Sequence, residues 1–228
     1  MKPIKSKVLF QGNRGRIRFS EAPWFSLVKD QPITVIGAGG IGSWLTHFLA
    51  RAGAIVHLYD MDKYDINNMG GQLARWQALH TNKAEALATL VEDLLGEDTY
   101  VVAHPERFTD ETTLTTPVVM LAVDDMNARR QIYDVWKANE QRKLLVDGRM
   151  GAEQFELYTA TQEHDNYMEH WFPPHEAAQL PCAYKATSHI GSLVASMMMG
   201  VLTNYFSDNY VPESLTFNTQ LFMLEGSQ

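Results

Sequence analysis

The stretch ITVIGAGGIG, residues 33–42, constrains this chain more than any other. An apolar run of Ile33, Val35 and Ile36 passes straight into Gly37, Gly39, Gly40 and Gly42, and Ile41, Leu45, Phe48 and Leu49 then recur at helical spacing. That order predicts a buried strand, a tight turn and a helix in direct succession. Gly37, Gly39 and Gly42 have the Gly-x-Gly-x-x-Gly spacing, in which small residues let the backbone approach a phosphate chain and aim the helix N-terminus at it. The expected ligand is a nucleotide. A glycine turn between any buried strand and helix can match this spacing by chance, so the reading needs support from elsewhere in the chain.

The first support is AIVHLYD, residues 54–60, a second strand ending in an acid. Asp60 lies 18 residues beyond Gly42, where a nucleotide-binding α/β unit places the carboxylate that accepts hydrogen bonds from ribose hydroxyls. The bland reading is an ordinary aspartate at a strand end. A polar, turn-rich segment DMDKYDINNMGGQ follows, and residues 82–95 then carry Ala84, Leu87, Ala88, Val91, Leu94 and Leu95 on one helical face, with Gly96 after them. Residues 100–103 are a short strand. PVVMLAV, residues 117–123, is a continuous apolar run of the kind found in a strand buried on both faces of a parallel sheet, and it ends in Asp124 and Asp125. Residues 126–139 read as a helix and KLLVDG as another short strand. This alternation predicts an α/β fold, a doubly wound, mostly parallel Rossmann-like sheet with right-handed crossovers. Ligands in such sheets sit at the carboxyl ends of strands, where Gly37, Asp60 and Asp124 all fall.

The later chain differs in character. QFELYTATQ reads as an antiparallel strand, and residues 163–185 as a long irregular loop holding His164, His170, His175, three prolines and Cys182. A late helix over residues 187–206 carries Met197, Met198 and Met199, and LTFNTQLFML closes the chain as a strand. At 228 residues, 45% hydrophobic and 20% charged, the chain can bury a sizeable core. We read residues 1–32 as an N-terminal arm and 33–228 as one domain with a lid loop at about 162–186. The arm carries Arg14, Arg16 and Arg18, either as a solvated basic segment or as a source of a guanidinium for a phosphate. A net charge of −8 argues against a general nucleic-acid binder. No secretory signal or membrane span is evident. The single cysteine forbids an intrachain disulfide and suits a reducing cytoplasm.

Taken together, these motifs resemble the ThiF/MoeB/HesA superfamily, the adenylating fold of ubiquitin-activating enzymes, over roughly residues 33–205. VIGAGGIGS is similar to its nucleotide turn. DMDKYDINNMGGQ places Asp60, Asp62, Asn68 and Gln72 in register with its Asp-x-Asp…Asn-x-x-Arg-Gln segment, LHTNKAEAL places its lysine at Lys83, and LAVDDMNARRQI maps Asp124 and Arg129 onto its Asp-Asn-x-x-x-Arg segment. HIGSLVASMMMGVL resembles its late helix. The resemblance implies ATP and magnesium (Mg2+) as cofactors. It also implies a small ubiquitin-like or sulfur-carrier protein as partner, whose C-terminal carboxylate attacks the α-phosphate and releases pyrophosphate, and a homodimer. Lys83 would then face the phosphates, Asp124 would hold magnesium, and Gly37, Gly39, Gly40, Gly42, Asp60, Asp62, Asn68, Gln72 and Arg129 would bind the nucleotide. Cys182 reads either as a covalent carrier of the partner or as buried packing, and the three histidines with Cys182 match no standard zinc spacing.

Three departures from the family pattern stand out. Gly71 replaces the arginine before Gln72, leaving Arg75 or an arm arginine from a second subunit to supply that cation. The paired Cys-x-x-Cys zinc motif is missing, and Asp125 replaces an asparagine. Two rivals remain: a non-catalytic nucleotide-binding or scaffold subunit, which Gly71 favours, and an NAD-dependent oxidoreductase, which leaves Lys83 and Asp124 without a role.

Overall fold

The computed structural model describes residues 19–97, 99–151, 153–176 and 187–227. The unbroken apolar runs form β1 (Pro32–Ile36) and β4 (Val118–Leu121), and nearly every residue of both is buried. Neither strand alternates in polarity because helices or ordered chain cover both of its faces. The remaining elements are α1 (Phe25–Val28), α2 (Gly42–Arg51), β2 (Ile55–Tyr59), α3 (Lys83–Leu95), β3 (Tyr100–His104), α4 (Met126–Ala138), β5 (Leu144–Gly151), β6 (Gln154–Thr161), α5 (Ser188–Phe206), β7 (Ser214–Asn218) and β8 (Met223–Ser227).

The strands make one eight-stranded sheet in the order β3-β2-β1-β4-β5-β6-β7-β8. The first five pair in parallel and the rest antiparallel, so the doubly wound, mostly parallel reading with antiparallel C-terminal strands holds. Helices α2, α3 and α5 bury Leu45, Leu49, Leu87, Val91, Val194 and Met198 against one face. Helix α4 covers the other with Ile132, Tyr133 and Trp136 over Ile36, Val119, Leu121 and Leu145. Each fully buried leucine contributes about 1.5–3 kcal/mol relative to an exposed one, which is what holds the strand ends in place beneath the site.

The structure departs from the sequence expectation in four places. The closing strand is a hairpin, β7 and β8, because Asn218 Oδ1 accepts the N–H groups of Gln220 (3.0 Å) and Leu221 (3.1 Å) and Phe222 takes φ 50°. Side-chain capture of successive amides is an Asx-type turn, which apolar patterning does not reveal. The strand expected from KLLVDG runs on to Gly151, beyond the end of β4, because β6 pairs with it over its whole length. The described part of the irregular loop holds two short 3-10 helices, Tyr167–His170 and Pro174–Glu176. Within the stretch expected as an arm, α1 buries Phe25 and Val28 against the domain. Arg14, Arg16, Arg18 and Cys182 lie outside the described residues.

Candidate active site

The glycine turn begins where β1 ends. Gly37 adopts φ 97°, and a Cβ there would stand 2.6 Å from the Ala122 carbonyl oxygen at the end of β4. A Cβ on Gly42 would collide with the Gly37 carbonyl, and one on Gly191 of α5 with the Gly40 carbonyl. Gly39 differs, since nothing lies within 4 Å of its missing Cβ. The turn thus leaves open space over Gly39. No side chain caps α2 at Ile41, and although the Ser43 N–H donates to the Gly39 carbonyl at 3.1 Å, the positive end of the helix dipole still favours an anion there.

Asp60, just past β2, clasps this turn. Its Oδ2 accepts the Ala38 N–H at 2.6 Å and its Oδ1 the Asp62 N–H at 2.8 Å. Burial raises the Asp60 pKa above the ordinary carboxylate value, opposed by those two amides and by Lys83. Each oxygen keeps a lone pair for a ribose hydroxyl.

Lys83 is the first residue of α3 and is 8% exposed. A cation at a helix N-terminus opposes the dipole, and Asp62 offsets this by accepting from Lys83 Nζ at 3.1 Å. In the sequence Asn82 reads only as the start of a helix. Its Oδ1 accepts the Glu85 N–H at 3.1 Å, while its Nδ2 donates to the carbonyls of Asp60 (2.8 Å) and Asp62 (3.2 Å). One amide therefore caps α3 and ties Lys83 to the end of β2. An asparagine immediately before a helical run was the available signal.

The other expected residues divide. Asn68 Oδ1 accepts the Asp65 N–H at 2.9 Å in a capping box, which commits that oxygen to its own loop. The Gln72 N–H donates to the Asn68 carbonyl at 3.0 Å, and its Oε1 is buried without a partner among the described residues. Asp124 is exposed just beyond β4. Asp125 caps α4 through the Ala128 N–H at 2.7 Å, a task asparagine performs equally well.

Arg129 is 4% exposed. Its guanidinium pairs with Asp147 and donates to the carbonyl of Val123, the residue before Asp124. Burial, then the neighbouring Arg149, pulls Arg129 down to about 10, which leaves it cationic at neutral pH. Arg75, the in-chain candidate to replace the missing arginine, pairs instead with Asp93. Asp93 lies ten residues along α3 from Lys83, about 15 Å up the helix, so Arg75 points away from the site.

His164, His170 and His175 do not gather. His170 stacks on Tyr158 at 4.4 Å and faces Glu213 at 3.6 Å, while His175 lies beside Glu176 at 3.7 Å. No group of three metal-binding side chains occurs among the described residues. A cleft of about 710 Å³ on the flank of α4, lined by Arg107, Asp110, Asp125, Arg130, Gln131 and Asp134, includes neither the glycine turn nor Lys83.

The family model of the ThiF family matches residues 22–225. The chain belongs to the ThiF family. It is 29% identical over 130 residues to the tRNA threonylcarbamoyladenosine dehydratase of Haemophilus influenzae, covering 54% of this chain and 50% of that protein. It is 32% identical over 125 residues to the NEDD8-activating enzyme E1 catalytic subunit of Caenorhabditis elegans, covering 49% of this chain and 29% of that one. This ThiF-family chain is thus matched over half or less of those relatives' lengths. Its fold is shared with PaaA (TM-score 0.72, 16% identity) and with E. coli MccB solved with ATP (TM-score 0.69, 12% identity), each covering 90% of this chain and 66% of the other. No helix among the described residues is long and apolar enough to cross a membrane.

Proposed function

We propose that this ThiF-family chain is an ATP-dependent adenylyltransferase acting on the C-terminal carboxylate of a small ubiquitin-like or sulfur-carrier protein. We read it as a cytoplasmic homodimer. The observation that carries the reading is the joint placement of Lys83 and Asp60. A nearly buried ammonium pairs with Asp62, whose N–H donates to Asp60, and Asp60 in turn holds by its backbone the glycine turn that leads into a helix with no side-chain cap.

In this reading a carboxylate oxygen of the acceptor attacks the α-phosphorus, a new P–O bond forms, the bond to the bridging oxygen of the β-phosphate breaks, and pyrophosphate leaves with that electron pair. The nucleophile is already an anion, so no strong general base is required, and rate enhancement rests on positioning and on charge neutralisation. Lys83 neutralises phosphate charge, and Asp60 orients the ribose. An exposed carboxylate at a strand end, free to share a hydrated ion, fits magnesium, and Asp124 would hold it. Magnesium supplies further neutralisation of the phosphates when bound. The amides of the glycine turn and of α2 orient the phosphate chain.

Thermal unfolding with magnesium ATP, with ATP alone and with NAD tests the proposal. Ligand at about a hundred times its dissociation constant stabilises by roughly 2.7 kcal/mol. Stabilisation by magnesium ATP and not by NAD is expected, and the reverse would favour an oxidoreductase. A second reading, a nucleotide-binding subunit without turnover, is favoured by Gly71 together with the engagement of Arg75 by Asp93. Under that reading magnesium ATP stabilises the chain but no pyrophosphate exchange follows with any acceptor.

A further inference from the structure

Along the carboxyl edge of the sheet, Asp60 follows β2, the glycine turn follows β1, Asp124 follows β4 and Arg149 stands in β5. The pairing of Leu121 with Asp147 sets Arg149 level with Val123, one residue before Asp124. Neighbouring strands lie about 4.8 Å apart, so Arg149 flanks the Asp124 end of the site, on the side opposite Asp60.

Arg149 is 8% exposed. Its Nε donates to Asp147 Oδ2 at 2.7 Å and its Nη1 to the His170 carbonyl at 2.9 Å. Its Nη2 is buried without a hydrogen-bond partner among the described residues. The guanidinium lies 4.3 Å from the Tyr158 ring centre, 5.8 Å from that of Phe172 and 5.9 Å from that of Tyr167, walls that keep water away and strengthen any anion contact made there. Asp147 already serves Arg129, Arg149 and the Tyr167 hydroxyl. Glu156 stands opposite Arg149 in register, but its carboxylate accepts from Tyr158 and Gln154. A buried guanidinium N–H pair left without a hydrogen-bond partner at this edge is suited to an anion, since a buried donor left unpaired forfeits its lost hydration.

We infer that Arg149 receives the terminal carboxylate of the acceptor chain. The phosphates have their own cations and amides at β1 and α3, on the far side of Asp124, whereas Arg149 belongs to the β5 side, beneath the segment that carries His170 and Phe172. A planar fork suits a planar carboxylate. This assignment rests on the reading of the site as one that activates a carboxylate.

Calorimetric titration of the nucleotide-free chain with tetraglycine, and with tetraglycine amide, tests it. The free acid should bind at least tenfold more tightly than the amide, and R149K and R149M should each lose that binding by tenfold or more. A folded R149K that binds the acid like wild type, or a wild type that fails to prefer the acid, overturns the assignment. So does an R149K that loses inorganic pyrophosphate and keeps tetraglycine. In wild-type protein labelled with nitrogen-15 arginine, the acid should shift one guanidinium resonance and the amide none, which requires no variant to fold. Magnesium ATP stabilisation of wild type is read separately, and its absence would defeat the adenylation reading while leaving the carboxylate result in force.

Discussion

At the scale of single residues, the site separates side chains that hold the backbone from side chains that await a ligand. Asp60 belongs to both groups, because its two oxygens bind the Ala38 and Asp62 amides. Asp60→Ala should cost about 1.5–3 kcal/mol in urea unfolding, the usual worth of hydrogen bonds to a charged group. Its raised pKa, caused mainly by burial, also has a sign. The folded state holds the proton more tightly than the unfolded chain, so wild type loses stability as pH rises from the ordinary carboxylate range through the folded value. Asp60→Asn should abolish that slope in unfolding measured across the acid range, and an unchanged slope would assign it to another group. Lys83→Ala should leave the melting temperature within a few degrees, since its partner Asp62 has a side chain 58% exposed and such pairs contribute about 0–1 kcal/mol. The same variant should lose most of its stabilisation by magnesium ATP. If it keeps it, the lysine assignment is wrong.

Among elements, the glycine turn makes the sharpest contrast. Gly37→Ala places a methyl against the Ala122 carbonyl at φ 97° and should destabilise by more than about 1 kcal/mol. Gly39→Ala meets open space and should change stability by less than about 0.5 kcal/mol, yet weaken magnesium ATP by filling the volume above the turn. Equal effects of the two substitutions on stability would mean that the turn is not held as described. The strand, turn and helix here were legible because hydrophobic spacing and glycine chemistry are local signals. The same holds for α3, with its cap at Asn82, and for the buried run of β4. The split between β7 and β8 was hidden, because it depends on one asparagine oxygen capturing two amides. Asp125, a departure from the family pattern, caps α4, a role that its place immediately before a helical run could have signalled.

For the whole molecule, the sequence order of motifs revealed which strand ends share an edge, and hence that the glycine turn, Asp60 and Asp124 follow neighbouring strands. It did not reveal where long side chains reach. Arg75 extends toward Asp93 and Arg129 turns inward to Asp147, because burial and ion pairing across elements decide those directions. With Arg75 engaged, the proposed homodimer would let an arm arginine of a second subunit supply the cation that Gly71 lacks. Light scattering should therefore give twice the 25.8 kDa chain mass. A species of single-chain mass would remove that source and favour the subunit without turnover.

The contact between Gly191 and Gly40 reaches further than packing. Helix α5, which follows β6 in the chain, presses backbone to backbone on the turn that ends β1. The half that carries the glycine turn is therefore no portable cassette. A fragment stopping after β5 would retain every glycine of the motif but lose the clamp that shapes it, and grafting the turn into another α/β protein would require the late helix to travel with it.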